Sequence, residues 1–321
     1  MIATAVTVSA WWLYQRIRAV PVAPESVAAL PTPTLTTDRP ELIAVTTPPT
    51  GVPEKGATLA ARPSSTDRGQ PRHEPRAQDL LEAGRTALEA SDLLAARTYF
   101  NDALRLQAQE PQRTTLRAEL TRLGHETIFS GRLIENDPFV ERYVIQPKDT
   151  LGKIAKANKI SVDLLTAING IVDANRIRAG QTIKIIQGPF HAVVDTESYT
   201  MGVYLENTFV KQFRVGLGAD QSTPRGQWRV GTKLKNPTYY PPRGGPIIAA
   251  DDPNNPLGER WIGLSGVSGE AAGQLRYGIH GTNDPDSIGK SVSLGCIRMY
   301  NEDVIALFTY LIEKHSTVTV K

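Results

Sequence analysis

The sequence predicts a multidomain protein whose C-terminal part is a mainly β domain, a β-sandwich or barrel with one helix. Three observations predict this fold class. Residues 189–321 contain a series of short segments in which apolar and polar residues alternate, as strands of a sandwich or barrel do. Residues 142–186 show strand, helix, helix, strand (βααβ) patterning, and residues 77–135 show helical periodicity. A chain of 321 residues has room for two or three compact domains.

Composition and charge exclude several classes of function. The net charge of +3 is small, and no run of Lys and Arg interleaved with aromatic residues stands out, which argues against a nucleic-acid partner. Cys296 is the only cysteine in the chain. The chain therefore has no intramolecular disulfide and no cysteine-rich zinc site, but a reactive thiol remains open.

Residues 1–19 are interpreted as a membrane anchor or a signal-like segment, because an uncharged and largely apolar stretch precedes Arg16 and Arg18. Both matches are incomplete, since a spanning helix needs roughly 20 apolar residues and a signal peptide begins with positive charge. The two arginines follow the apolar stretch, and the positive-inside tendency then favours a cytoplasmic location for the rest of the chain. We hypothesise that the native start lies upstream and supplies further basic residues.

Residues 20–76 are predicted to be a disordered or partly extended linker. The segment is rich in Pro, Thr, Ala and Ser and has almost no aromatic residues, so it cannot bury a core. A linker of this kind would hold a membrane-tethered domain at a distance. The alternative is an untethered low-complexity tail.

Residues 77–135 are predicted to form a helical hairpin, with a polar break at Ser91 and Asp92, and a further helix after Pro111. The spacing of small and aromatic residues resembles one tetratricopeptide (TPR) unit. A single unit leaves two interpretations open, a partner-binding array and a short helical spacer that packs on a neighbour or on itself. The residues predicted to share the buried face are Leu80, Leu81, Gly84, Leu88, Ala96, Tyr99, Phe100, Ala103 and Leu104.

Residues 142–186 are predicted to form two strands with two short helices between them. Asp149 or Thr150 is placed to cap the first helix, the second helix starts near Ser161, and Asn169-Gly170 favours a left-handed helix end. The segments Tyr-Val-Ile-Gln-Pro-Lys-Asp-Thr-Leu and Arg-Ala-Gly-Gln-Thr-Ile-Lys-Ile resemble a LysM module, and the resemblance spans the whole of residues 142–186. LysM modules bind glycans that contain N-acetylglucosamine, such as peptidoglycan and chitin; the alternative is a LysM fold without sugar affinity. The resemblance places the glycan between two loops that contain Asp149, Thr150, Leu151, Asn169, Gly170 and Ile171.

The elements of residues 189–321 follow from local patterning. Alternating segments predict strands from residue 190 to residue 234, with Glu206-Asn207 at the tight turn of a hairpin. A helix is predicted from Asn301, whose side chain is expected to cap it. A last strand is predicted at residues 317–320. The buried stripe of the helix is predicted to consist of Val304, Leu307, Phe308 and Leu311.

Cys296 and His280 are the candidate reactive pair. His280 lies in Tyr-Gly-Ile-His-Gly-Thr, and Cys296 follows sixteen positions later in Ser-Leu-Gly-Cys-Ile-Arg-Met. A nearby imidazolium lowers the pKa of a thiol and so increases the population of nucleophilic thiolate. Gly295 lets the backbone approach a substrate, and N–H groups around Cys296 are expected to stabilise an oxyanion. These parts support acyl transfer through a thioester, although a lone cysteine taken out of this context is more often a small buried hydrophobe.

The two blocks, with Ser-Ile-Gly-Lys between them and Thr-Pro-Arg-Gly upstream, resemble the signature of the YkuD family of L,D-transpeptidases from about Phe190 to the C-terminus. The resemblance implies that Cys296 is the acylated nucleophile, that His280 is the general base, and that the Gly281 carbonyl orients the imidazole. Leu294 departs from the family pattern, in which many relatives carry a polar residue, and this leaves fine specificity open. The residues implied in substrate binding are Ser293, Gly295 and Arg298, the last of which either meets a substrate carboxylate or braces the loop.

The family resemblance implies a reaction on peptidoglycan. The thiolate attacks the carbonyl of the third residue of a tetrapeptide stem, commonly diaminopimelate, and expels D-alanine. An amine from another stem then gives a 3→3 cross-link, an amine on a protein attaches that protein to the wall, and water gives L,D-carboxypeptidase activity. No metal ion or organic cofactor is implied. A rival interpretation is a non-catalytic peptidoglycan-binding protein that acts through LysM.

The same resemblance gives expectations about partners and place. The expected partner is peptidoglycan, through its glycan strands and stem peptides, with a further protein partner expected if the helical region is a binding array. The expected location is the cell envelope outside the cytoplasm, in the periplasm or cell wall, with a membrane tether at the N-terminus or secretion. The corresponding process is peptidoglycan biosynthesis, which organises the wall and sets cell shape.

Overall fold

A computed structural model describes residues 76–106, 110–242 and 244–321. The predicted anchor, residues 1–19, and all but the last residue of the predicted linker lie outside the described residues. Within the described ranges, none of the helices combines the length and the apolar character that a membrane span requires. The described helices are α1 (Ala77–Glu89), α2 (Leu93–Arg105), α3 (Gln112–Gly124), α4 (Leu151–Ala157), α5 (Val162–Asn169) and α6 (Asn301–Tyr310).

The strands fall into three sheets. Two are small, an antiparallel pair β1–β2 and a parallel pair β6–β10, and the third contains eight strands in the order β11-β9-β8-β7-β12-β3-β4-β5. The strand bounds are β1 (Val140–Val144), β2 (Thr182–Ile186), β3 (Phe190–Asp195), β4 (Thr200–Leu205), β5 (Thr208–Arg214), β6 (Leu217–Gly218), β7 (Gly226–Lys235), β8 (Arg260–Gly269), β9 (Tyr277–His280), β10 (Ser291–Ser293), β11 (Ile297–Arg298) and β12 (Thr317–Val320).

Helices α1 and α2 form the expected hairpin, and the Asp92 side chain caps α2 by accepting a hydrogen bond from the Ala95 N–H. The predicted position of Tyr99 on the buried face is wrong, since its side chain is 38% exposed. Two polar side chains are buried instead. Arg97 forms a bidentate ion pair with Asp137, and Asn101 packs against the neighbouring sheet. Helical periodicity identified the hairpin but could not show that polar residues share its inner face.

The helical region packs on the edge of the eight-stranded sheet. Strand β5 is an edge strand, and the Asn101 side-chain amide bonds to its backbone, with Oδ1 accepting from the Phe209 N–H at 2.7 Å and Nδ2 donating to the Phe209 carbonyl at 3.4 Å. Asn101 thereby satisfies polar groups that an edge strand leaves unpaired. A Cβ at Gly124 would clash with the Val210 carbonyl, so α3 approaches β5 closely. The helical region therefore packs on the C-terminal domain of the same chain.

Residues 140–186 form the expected βααβ unit. The Thr150 and Ser161 hydroxyls accept hydrogen bonds from Lys153 N and Leu164 N at the two helix starts. Gly170 ends α5 in the left-handed conformation, with φ 61°, where glycine avoids the Cβ penalty. Strands β1 and β2 pair antiparallel from Val140↔Ile186 to Val144↔Thr182.

This βααβ unit shares one hydrophobic core with the C-terminal domain. Leu165 and Ile168 of the unit belong to the same buried cluster as Val304 and Leu311 of the C-terminal domain. The Ser161 hydroxyl donates to the Thr309 carbonyl at 2.6 Å. The buried Lys184 Nζ donates to three backbone carbonyls at 2.7 to 2.9 Å, those of Thr127, Ser130 and Arg132.

The eight-stranded sheet curls until its two edges meet. Beyond the end of β5, Gly216 forms an isolated antiparallel bridge with Arg298 of β11, the strand at the opposite edge. The Gly216 N–H donates to the Arg298 carbonyl at 2.9 Å, and the Arg298 N–H donates to the Gly216 carbonyl at 2.8 Å. The mainly β fold with one helix is therefore confirmed, and its barrel-like closure rests on this single bridge.

Helix α6 covers the inner side of the curled sheet with Val304, Leu307 and Phe308. The predicted role of Asn301 as its N-cap is wrong. The N-cap is Tyr300, and Asn301 is the first helical residue, with its side-chain amide bonded to the backbone of Thr282 across the fold. An asparagine at the start of a predicted helix indicates a capping amide. Local sequence could not show that the actual partner of Asn301 lies nineteen positions away.

Candidate active site

A groove of about 600 Å³ is lined by His280 at the end of β9 and by Cys296 just before β11. Residues of the long connection between β7 and β8 line it as well. Asn255 holds that connection in shape, since its buried side chain donates to the Pro237 carbonyl at 2.8 Å and to the Ala249 carbonyl at 3.1 Å. The residues that line the groove are Leu234, Pro237, Thr238, Tyr239, Tyr240, Pro241, Pro242, Pro256, Leu257, Trp261, Arg276, His280, Ser293, Leu294, Cys296 and Arg298.

The backbone around Cys296 is held by a chain of hydrogen bonds. The Ser293 hydroxyl donates to the Cys296 carbonyl at 2.6 Å and accepts from the Gly295 N–H at 3.1 Å. The Thr223 hydroxyl donates to the Gly295 carbonyl at 2.9 Å. Gly295 has φ 125°, and a Cβ there would lie 2.8 Å from the Ser222 carbonyl and from the Tyr277 ring. The tight turn that presents Cys296 therefore requires glycine at 295.

The parallel pairing of β11 with β9 brings the start of β11, which Cys296 immediately precedes, next to the strand that ends at His280. Arg298 is the register partner of His280, and Ile297 that of Ile279. His280 is buried, and its ring stacks on Trp261, with 5.8 Å between centroids and 17° between planes. Its Nδ1 lies 2.6 Å from the Gly281 carbonyl. A carbonyl only accepts, so Nδ1 carries the proton, and in the neutral ring Nε2 keeps a free lone pair.

Burial sets the protonation states of both groups. Desolvation lowers the pKa of His280 to about 4, against the smaller effect of the Gly281 and Pro256 carbonyls, which favour the protonated ring. Desolvation also raises the pKa of Cys296, partly offset by the Gly278 N–H and by Arg298. The resting pair at neutral pH is thus a thiol and a neutral imidazole. This differs from the imidazolium expected from the sequence, because composition does not show that the ring is buried.

Two arginines give the groove a positive character. Arg298 lines it with its guanidinium 4.0 Å from Asp284, and within the described part of the chain its buried Nε has no hydrogen-bond partner. Arg276 also lines the groove, in a left-handed backbone conformation with φ 70°. No aspartate or glutamate is among the described lining residues. Leu294 is exposed at the mouth of the groove.

Sequence reasoning missed Arg276, Trp261 and Tyr239 as lining residues. None of them lies in a recognisable motif, and only the pairing of β8 with β9 and the path of the β7–β8 connection bring them to the groove. The stretch Tyr-Tyr-Pro-Pro at 239–242 was the available signal, since aromatic and proline residues rarely cluster in a connection without a packing or binding role.

The predicted glycan-binding residues lie on the βααβ unit, away from the groove lining. Leu151 is 1% exposed, so its side chain belongs to the core. The Asp149 carboxylate accepts from Tyr143 Oη and from the Gln146 N–H, at 2.8 and 2.7 Å. The Asn169 amide binds both backbone groups of Lys184. Of the other predicted residues in these two loops, Ile171 is half-buried, and Thr150 and Gly170 are exposed.

Known protein families match the two parts of the chain just described. The model of the YkuD L,D-transpeptidase catalytic domain matches residues 189–320, and the LysM domain model matches residues 143–185. "Putative L,D-transpeptidase YkuD" of Bacillus subtilis (strain 168) is 35% identical over 173 residues, which cover 51% of this chain and 90% of that protein. "Putative L,D-transpeptidase YqjB" of the same strain is 40% identical over 124 residues, which cover 38% of this chain and 66% of that protein.

The thiol of Cys296 and the imidazole of His280 line one groove. These are the two groups that acyl transfer by a cysteine requires. Together with the relatives above, they define the class: the chain belongs to the YkuD family of L,D-transpeptidases, and it carries a LysM domain before the YkuD domain.

Similarity to solved structures is weaker. An L,D-transpeptidase from Mycobacterium tuberculosis H37Rv aligns with 45% of this chain and 63% of its own length, at 14% identity and a TM-score of 0.33. The family assignment rests on the sequence relatives.

Within the described residues, no three His, Cys, Asp or Glu side chains lie close enough together to hold a metal ion.

Proposed function

We propose that the protein is a cysteine L,D-transpeptidase that forms an acyl-enzyme on a tetrapeptide stem of peptidoglycan and releases D-alanine. The observation that carries the proposal is the geometry of His280. Its Nδ1 is tied to the Gly281 carbonyl, its Nε2 is free to accept a proton, and Cys296 lies in the same groove.

In the first step, Cys296 Sγ attacks the carbonyl carbon of the third stem residue while His280 Nε2 takes the thiol proton. Attack by the thiol of a neutral pair avoids a buried ion pair in the resting enzyme. The Gly295 N–H is already donated to Ser293, so the N–H of Cys296 itself is the candidate donor to the oxyanion. Collapse of the tetrahedral intermediate breaks the bond to D-alanine, whose amine receives the proton from His280, and leaves a thioester.

In the second step, an amine attacks the thioester carbonyl. His280 removes a proton from that amine and returns it to the departing Cys296 sulfur, so the free thiol is restored and a new amide is formed. An acceptor amine from a second stem gives a 3→3 cross-link, and an amine on a protein attaches that protein to the wall. If water replaces the amine, the product is a shortened stem and the activity is that of a carboxypeptidase.

The charge of the groove favours an anionic donor. Arg276 and Arg298 line it without any carboxylate among the described lining residues, and a stem peptide carries free carboxylates. The LysM domain adds binding to the glycan strand, with the exposed surface around Thr150 and Gly170 as its contact region. Under this proposal both domains act on peptidoglycan, and the protein works in the cell envelope outside the cytoplasm. A membrane tether and a protein partner for the helical region remain expectations from the sequence.

Product analysis distinguishes this function from its rivals. Wild-type protein and the Cys296→Ala variant are incubated with a purified tetrapeptide stem, with and without an excess of acceptor stem. Cross-linked dimers that form only with wild-type protein and acceptor support the transpeptidase. Shortened monomers that form in preference to dimers favour the carboxypeptidase. If both proteins bind sacculi equally and neither changes the stem, the protein is a LysM-based binder.

A further inference from the structure

The Gly281–Thr282 peptide group lies between His280 and the side chain of Asn301, which the sequence had indicated as a helix cap. On one side of this peptide group, the Gly281 carbonyl accepts from His280 Nδ1 at 2.6 Å. On the other side, the Thr282 N–H donates to Asn301 Oδ1 at 3.1 Å. The carbonyl and the N–H belong to one planar unit and point in opposite directions, so fixing the N–H also fixes the carbonyl.

Asn301 also holds the next peptide group, Thr282–Asn283. Its Nδ2 donates to the Thr282 carbonyl at 3.0 Å, so one side-chain amide binds both backbone groups of the same residue. A Cβ at either Gly281 or Gly258 would clash with Asn301 Oδ1, which shows that the amide fits closely between the two glycine backbones. The Thr282 hydroxyl adds a local turn with the backbone of Asp284.

The helix that carries Asn301 is held firmly in the core. Asn301 is the first residue of α6, and that helix is anchored through the fully buried Val304 and Leu307. At the other end of α6, Lys233 Nζ donates to the Phe308 and Leu311 carbonyls, which stabilises the C-terminus of the helix. The side-chain amide of Asn301 is therefore a fixed point of the core rather than part of a mobile loop.

We propose that Asn301 is a positioning residue for the reaction: through the Gly281–Thr282 peptide group it holds the carbonyl that keeps His280 in the Nδ1–H tautomer with Nε2 free. The inference rests on the proposed function of His280 as the base. Hydrogen bonds in such a chain polarise one another, so the bond from Asn301 also strengthens the acceptor that faces His280. Without Asn301 the peptide group can rotate, and the imidazole gains the second tautomer, in which Nε2 carries a proton and cannot accept one from the thiol.

The test compares Asn301→Ala and Asn301→Asp with the wild-type chain and with Glu302→Gln, a change at the neighbouring exposed position of the same helix turn. Asp keeps an acceptor for the Thr282 N–H but places an oxygen against the Thr282 carbonyl, and this repulsion displaces Thr282, whose N–H belongs to the Gly281–Thr282 peptide group. We expect the acylation rate at saturating donor to fall on the order of 10-fold to 100-fold in both variants, with a much smaller change in KM. Glu302→Gln should acylate at the wild-type rate.

A spectroscopic measurement separates positioning from a merely structural role. The ¹⁵N shifts of the His280 ring at pH 7 report which nitrogen carries the proton, and they do so without substrate. We expect a single Nδ1–H tautomer in the wild-type chain and a mixture in both Asn301 variants. An unchanged tautomer together with an unchanged acylation rate would overturn the proposal, and so would a loss confined to KM. If the wild-type chain itself does not acylate, the proposed function fails, while the ring shifts still decide whether Asn301 sets the tautomer.

Discussion

Lowering the pH from 7 to 5 should leave the acylation rate of this enzyme nearly unchanged. Burial lowers the pKa of His280 to about 4, so the ring stays about 90% neutral at pH 5. A histidine with an ordinary pKa near 6.5 is only about 3% neutral at pH 5, and its rate as a base would fall about 25-fold over the same interval. The difference between a loss of about one tenth and a loss of 25-fold is easily measured.

The assay is single-turnover acylation of the full chain by a tetrapeptide stem, followed by intact mass, between pH 5 and pH 8. Circular dichroism at each pH shows whether the fold is intact. A parallel NMR titration of His280 in the Cys296→Ala variant measures the pKa of the ring directly. A rate that falls more than 10-fold between pH 7 and pH 5 in folded protein, or a ring that titrates near pH 6.5, would refute the reasoning that burial keeps the imidazole neutral.

Three further predictions concern stability and the thiol. Because the pKa of His280 is lowered, the unfolded state binds a proton between about pH 6.5 and pH 4 that the folded state does not. The contribution of His280 to the free energy of unfolding is therefore fully present above about pH 6.5 and is lost as the pH falls towards 4. The free energy of unfolding in urea should differ through this group by about 2 to 3 kcal/mol between pH 7.5 and pH 4.5, and a His280→Gln variant should lack that part of the difference. Deletion of residues 142–186 should abolish a cooperative thermal transition, because the LysM domain shares its core with the YkuD domain; a deletion variant that melts and acylates like the full chain would show that the two are independent. Carbapenems, which resemble the donor for this family, should add their whole mass to the wild-type chain and not to Cys296→Ala, and an unmodified wild-type mass after long incubation would count against Cys296 as the nucleophile.

Much of the fold was readable because the pattern of local residues and the tertiary fold agree. The alternating segments after Phe190 form strands, and the two short helices start at the predicted positions, with Thr150 and Ser161 as their N-caps. The blocks around His280 and Cys296 are local motifs as well, so their resemblance to a family was visible without a structure. Each of these features depends on residues that are close in sequence.

The features that could not be read depend on long-range pairing. The parallel register of β11 on β9 sets Arg298 opposite His280, and no local pattern encodes a register. Asn301 stands where a capping residue is expected, yet its side-chain amide is hydrogen-bonded to the backbone of Thr282. No local pattern shows that Lys184 is buried, since the three carbonyls that accept from its ammonium group lie more than fifty positions away, at the end of the helical region.

The close union of the LysM and YkuD domains has the same origin. The sequence shows two separate family patterns, and nothing in either pattern indicates that the two domains share a core. In the structure the two domains are joined, because Leu165 and Ile168 of the LysM domain belong to the same buried core as the YkuD domain and the Ser161 hydroxyl is bonded to the Thr309 carbonyl of α6. Docking surfaces of this kind consist of ordinary apolar residues and leave no signature in either pattern.

The central claim is that Cys296 forms a thioester with a stem peptide. Intact-protein mass spectrometry of the full chain with a purified tetrapeptide stem, without an acceptor amine and with rapid acid quenching, tests it most directly. The account predicts a mass increase equal to the stem minus D-alanine in the wild-type chain and no increase in Cys296→Ala. An adduct of the same mass on Cys296→Ala, or stem cleavage by that variant, would contradict the claim.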